Sequence, residues 1–187
     1  MRFRHSVAFL AALALFGCGD RNLILGVDAL SFTSAADRVV AFGPVPALPL
    51  PIRTGEIPVF NDIKVNLIDG TKQVMDVQSV TIAFAADIAD STGAGLDTLR
   101  VYMSDQATSP VTTTPVATIP VTLVPGQHSP VGVLINGDPR VNALFAQQQV
   151  RVTVTTSLQG PASGQALNGR LTVTQLHADV VARHHAL

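Results

Sequence analysis

Apolar and polar side chains alternate along most of this chain. Ile63, Val65 and Leu67 alternate with Lys64 and Asn66, and Val80, Ile82 and Phe84 with Thr81, Ala83 and Ala85. The same period recurs at Leu99–Val101–Met103, Ile119–Val121–Leu123, Val131–Val133–Ile135 and Val150–Val152–Val154. A further run begins at Leu171 and Val173 and continues, in the other phase, through Val180 and Ala182. A period of two puts successive side chains on opposite faces of a strand, one toward a core and one toward water. On this reading Val152 belongs to the core and Thr153 to solvent. The intervening positions are rich in threonine, which suits a pleated surface. Clusters of Gly, Pro, Asn and Asp separate the runs. Together they predict an all-β fold, an antiparallel β-sandwich of Ig-like or similar kind.

Two departures from the period carry information. Val77 and Val80 are three residues apart, and the last run slips between Val173 and Leu176. A slipped phase predicts a bulge or a strand that changes sheets. Between Asp138 and Ala146 the period changes altogether. Asp138 is an N-cap residue type, Pro139 suits the first helical position, and Val141, Leu144 and Phe145 share one helical face. This predicts one short helix over 139–146 that plugs an end of the sandwich. The five prolines of Gly43–Pro58 exclude a central strand there, because each removes a ladder donor. Leu48, Leu50 and Ile52 point to an extended segment packed along the sandwich. Gln106–Pro115 is polar and reads as a hairpin loop.

The N-terminus has a different character. Met1-Arg2-Phe3-Arg4-His5 is basic, and Ser6–Phe16 is apolar and uncharged. That run falls short of the roughly 20 apolar residues of a spanning helix and has the form of a secretory signal peptide. It ends in Leu15-Phe16-Gly17-Cys18, and Cys18 is the chain's one cysteine. Leu15, Gly17 and Cys18 resemble the lipobox of bacterial lipoproteins. The resemblance covers residues 1–18. It implies a signal peptide over 1–17 that is removed, a lipid on Cys18, and a short tether over 18–22 leading into one domain, 23–187. Acylation also disposes of an unpaired thiol in an oxidising compartment. Gly19, not aspartate, follows the cysteine, which in the enterobacterial pattern implies the outer membrane.

Charge narrows the partners. The loss of Arg2 and Arg4 with the first seventeen residues leaves 10 basic and 13 acidic side chains, a net of −3. No basic block occurs, so nucleic acid is not an expected partner. The expected partners are the membrane, through Cys18, and an envelope protein. The chain has no Trp and one Tyr, Tyr102, which speaks against the aromatic platforms of sugar-binding sandwiches.

Candidate chemistry is sparse. There is no G-x-S-x-G elbow, no glycine-rich phosphate loop, and a single glutamate, Glu56, for paired-acid hydrolysis. No catalytic residue is assigned and no organic cofactor is expected. His177 and Asp179 share a strand face and are the start of a metal site only if a partner joins them. His184 and His185 belong to the end of the chain. The stretch Asp87–Asp97, "DIADSTGAGLD", offers Asp87, Asp90 and Asp97 as oxygen ligands for calcium, with Gly93 and Gly95 permitting a tight turn. The plain alternative is a connecting loop built of ordinary turn residues. The sequence thus predicts a lipid-anchored envelope protein, a non-enzymatic structural or interaction module. The alternative is a small-ligand or glycan-binding module, with or without calcium.

Overall fold

The computed structural model describes residues 21–50, 53–67, 75–147 and 149–184. The described strands are β1 (Arg21–Asp28), β2 (Val39–Val45), β3 (Ile57–Asn66), β4 (Met75–Thr92), β5 (Gly95–Ser104), β6 (Ala117–Leu123), β7 (His128–Asn136), β8 (Gln149–Gln159) and β9 (Leu167–His184). Among the described residues there is one α-helix, α1, spanning Pro139–Phe145. All pairings between these strands are antiparallel. One sheet has the order β1-β9-β4-β7, with β2 also on β9; the other has the order β3-β8-β5-β6. The expected all-β antiparallel sandwich is the fold.

The connectivity gives the sandwich its particular form. From β2 onward the chain changes sheets at every connection except the β5–β6 hairpin. The facing orders 2-9-4-7 and 3-8-5-6 are those of a jelly roll, with β1 added beyond. β1 and β2 lie end to end along one edge of β9. Arg21 to Asp28 pair with His184 to His177, and Val39 to Val45 pair with Thr172 to Leu167. The strand prolines Pro44, Pro58, Pro120 and Pro130 sit in β2, β3, β6 and β7, all edge strands, where a missing donor costs least.

Both phase slips are bulges in the β4–β9 ladder. Register shifts between Val77 and Ser79, and Ala85 pairs with Gln175 while Ala86 pairs with Val173. Gln78 and Thr174 are the extra residues, and each turns the rest of its strand so that the apolar side stays inward. Val80, Ile82, Phe84 and Ile88 of β4 therefore meet Leu171, Leu176 and Val180 of β9 and, across the gap, Leu99, Val101 and Val152. Each such fully buried side chain stabilises the fold by about 1.5–3 kcal/mol.

Helix α1 forms where expected. The Asp138 carboxylate accepts from the Arg140 N–H at 2.8 Å, and Val141 and Phe145 are buried while Leu144 is half-buried. The helix packs on β4, β8 and β5. Just beyond the last β4–β7 pair, Thr81 with Asn136, the Val80 N–H donates to Asn142 Oδ1 at 2.9 Å.

Three expectations change. β1 begins at Arg21, so Arg21 and Asn22 belong to a strand and not to a tether reaching residue 22. The proline-rich segment does pack: the Leu48 N–H donates to the Pro161 carbonyl, Arg53 bridges to Gln159, and the Thr54 N–H donates to the Leu158 carbonyl. Leu50, however, is 83% exposed, and Ile52 lies outside the described residues. Finally, Thr153 is fully buried. The outer face of the β3-β8-β5-β6 sheet is roofed, so burial in β8 does not alternate.

Candidate functional site

The acidic stretch is mostly strand. Asp87 and Asp90 lie in β4 and Asp97 in β5, and only Gly93 and Ala94 separate the two strands. Gly93 has φ of 75°, and a Cβ there would lie 2.6 Å from the Gln165 carbonyl oxygen, so the turn requires glycine. The three carboxylates do not converge. Asp87 is on the outer face, and its Oδ2 lies 2.8 Å from His128 Nδ1. Asp90 and Asp97 continue the inward-facing rows of their strands and are 3% and 1% exposed. Among the described residues, no group of three or more His, Cys, Asp or Glu side chains is placed to hold a metal ion. His177 Nε2 lies 3.2 Å from Asp179 Oδ1, an isolated pair on one strand face as the period requires. Cys18 and His185 lie outside the described residues.

The two inward carboxylates are held differently. Asp97 Oδ1 accepts from the Thr156 hydroxyl of β8. Burial raises the Asp97 pKa, and the Thr156 hydrogen bond is the largest opposing influence. Burial likewise raises that of Asp90, the Thr92 backbone N–H opposing it only in part. Neither carboxylate is among the residues that line the cleft described below.

A second polar cluster roofs the outer face of the β3-β8-β5-β6 sheet. Glu56 accepts from the Tyr102 hydroxyl at 2.9 Å and from the Thr155 hydroxyl at 2.9 Å, and pairs with Arg100 at 3.2 Å. Asp62, in the left-handed region at φ 58°, pairs with Arg151, and its N–H donates to Thr153 Oγ1 at 3.0 Å. Thr54 supplies an acceptor to Ser157 and another to the Leu158 N–H. Every hydroxyl here is committed to a neighbour, so the cluster reads as structure. Sequence reasoning passed over it; the signal available was the Thr-Thr-Ser run of β8 opposite the sole glutamate.

A cleft lies between β1 and the end of β3, where the two sheets part. Its volume is about 430 Å³, within the range of about 300–1,000 Å³ in which small ligands are held. Leu25 and Val27 of β1, Val180 of β9, Val77 of β4 and Phe145 of α1 form its walls. Ile24 and Phe32 stand at its rim, 73% and 49% exposed. The polar groups nearby are already engaged. The Asp28 carboxylate caps the short 3₁₀ turn Ala29–Phe32 through the Leu30 N–H, and Asn66 Oδ1 accepts from Gln149 Nε2. The cleft therefore offers mainly apolar surface, the kind that takes an apolar ligand. Among the described residues no helix is long and apolar enough to cross a membrane.

No family model matches the chain, and no curated protein matches it. Among solved structures, it is similar to a chain of the infectious bursal disease virus Gx strain, with a TM-score of 0.40 and 14% identity over 89% of this chain and 38% of that one. A chain of the infectious bursal disease virus VP2 subviral particle gives a TM-score of 0.39 and 16% identity over 89% and 38%. The chain thus spans about 38% of the length of these viral chains. A likeness of this degree carries no functional weight.

Proposed function

We propose that this chain is a lipid-anchored protein of the bacterial envelope, a non-enzymatic structural or interaction module held at a membrane surface, the outer membrane in the enterobacterial pattern. What supports the reading is the juxtaposition of the lipobox-like Leu15–Cys18 with a folded strand that starts at Arg21. Only Gly19 and Asp20 intervene, so a lipid on Cys18 holds the sandwich close to the bilayer. More than one acyl chain makes such an anchor stable, because a single chain holds only marginally. The test is Cys18→Ser in the full chain. The parent takes up labelled fatty acid and stays in the membrane pellet through a high-salt wash; the variant loses both properties. A variant that stays in the washed pellet overturns the reading, and a density gradient assigns the membrane. A second reading, binding of a small apolar ligand, is favoured by the cleft. The glycan version is disfavoured, since the sole Tyr is buried in the Glu56 cluster and there is no Trp.

A further inference from the structure

We propose that the cleft between β1 and β3 is a lipid-tail site: the anchored protein stands with this corner against the bilayer, and an acyl chain of a membrane lipid enters the cleft. The inference rests on the lipid-anchored reading. Cys18 lies three residues before Arg21, a reach of at most about 10 Å of extended chain. β1, which the tether joins, is itself a wall of the cleft through Leu25 and Val27. The corner that carries the cleft is therefore the corner the anchor holds at the membrane.

The surface chemistry agrees. The rim side chains Ile24 and Phe32 are large, apolar and exposed, and both line the cleft. Inside, Val77, Val180 and Phe145 present apolar surface, and the Asp28 carboxylate is turned to its own cap. A tail that passes from the bilayer into such a cleft changes its own surroundings little. The gain comes from the cleft walls and rim, which lose water. The occupant is a bilayer lipid and not a chain on Cys18. Each chain withdrawn from the bilayer weakens the anchor, whereas membrane lipid is present in excess.

The absence of tryptophan makes the test clean, because one introduced Trp reports alone. Full-length lipidated proteins carrying Ile24→Trp, Phe32→Trp, Leu67→Trp at the cleft, or Leu96→Trp at the start of β5, beyond the far end of β4, are placed in phosphatidylcholine vesicles with and without brominated acyl chains. Emission from positions 24, 32 and 67 shifts to the blue on the vesicles and loses most of its intensity to the brominated chains. Emission from position 96 keeps both its colour and its intensity. Quenching at 24 and 32 but not at 67 overturns a tail within the cleft. A blue shift without quenching means a protein surface covers the corner and overturns the proposal, as does equal quenching at position 96. Vesicle association with no quenching overturns this proposal alone, whereas failure of the lipidated preparation to associate at all overturns the anchor reading with it.

Discussion

Asp97 and Thr156 meet inside the sandwich, the carboxylate of β5 accepting the hydroxyl proton of β8 between two rows of apolar side chains. A carboxylate in that position is charged only at a cost. Burial holds its pKa above the ordinary 3.8, so the folded protein keeps this proton more tightly than the unfolded chain does. Stability from this group is fully present below the unfolded value and is lost as pH rises through the folded one. Asp62 and Asp138, whose arginine partners lower their pKa values, act in the opposite sense. Comparison with Asp97→Asn isolates the buried group. The variant keeps an acceptor for Thr156 and removes the charge. It is expected to be more stable than the parent near neutral pH by about 1–3 kcal/mol, and to melt with it in acid. Urea titrations across the pH range check this; equal stability at neutral pH would show that the charge is compensated.

The helix and the β4 bulge are tied by one side chain. Asn142→Ala leaves the Val80 N–H without its acceptor, and a buried orphan donor costs about 1–3 kcal/mol. Asn142→Asp retains an oxygen and is expected to cost less. Thermal melts rank the three proteins, and a harmless Ala variant would mean that water replaces the amide.

Tyr102 offers a spectroscopic test of the roof. Its pKa is raised above the ordinary 10.0, first by burial, then by its hydrogen bond to Glu56 and by the Glu56 charge. It is the sole tyrosine and there is no tryptophan, so phenolate absorbance reads this residue alone. Glu56→Gln is expected to bring the midpoint down toward the ordinary value. An unmoved midpoint would leave burial as the whole cause.

Thr153 tests whether the outer face is closed. Thr153→Val keeps the volume but deprives the Asp62 N–H of its acceptor, at an expected cost of about 1–3 kcal/mol. Thr153→Ser retains the hydroxyl and is expected to stay within about 1 kcal/mol of the parent. Denaturant midpoints that order the variants the other way would place this face in water.

The comparison of Thr153 with Val152 also shows what a sequence reveals here. The period of two located most of β3 to β9, because alternation of residue type along a strand is local. The two slips located the bulges at Gln78 and Thr174 for the same reason. Asp138 and Pro139 marked the helix through cap chemistry. The alternation could not tell water from a roof. Thr153, Thr155 and Ser157 face away from the core but are buried: Thr155 and Ser157 bond to the segment around Thr54 and Glu56, and Thr153 to Asp62, all far off in sequence. β1 and β2 were illegible because Ile24 breaks one pattern and Gly43-Pro44 the other. The acidic stretch was misread in extent, since turn-type residues were recruited into β4 and β5. There pairing of Asp87 with Pro130 and Thr172, and burial of Asp90 and Asp97, outweigh local turn preference. The cleft left no local mark at all, because its walls come from β1, α1, β4 and β9.

The length of β9 has a consequence for how the molecule is made. β1, β2 and β4 all take partners from it, with Arg21 opposite His184 and Val39 opposite Thr172. Strands β1 and β2 pair with β9 alone among the described strands, so neither finds its neighbour until the late strand has been synthesised, and closing such long loops is entropically expensive before any contact repays it. The chain is therefore a slow folder of high contact order, in the class that takes about milliseconds to seconds. Until β9 is made, the sheet that holds β4 and β7 stays incomplete and the first two strands have no ladder to join.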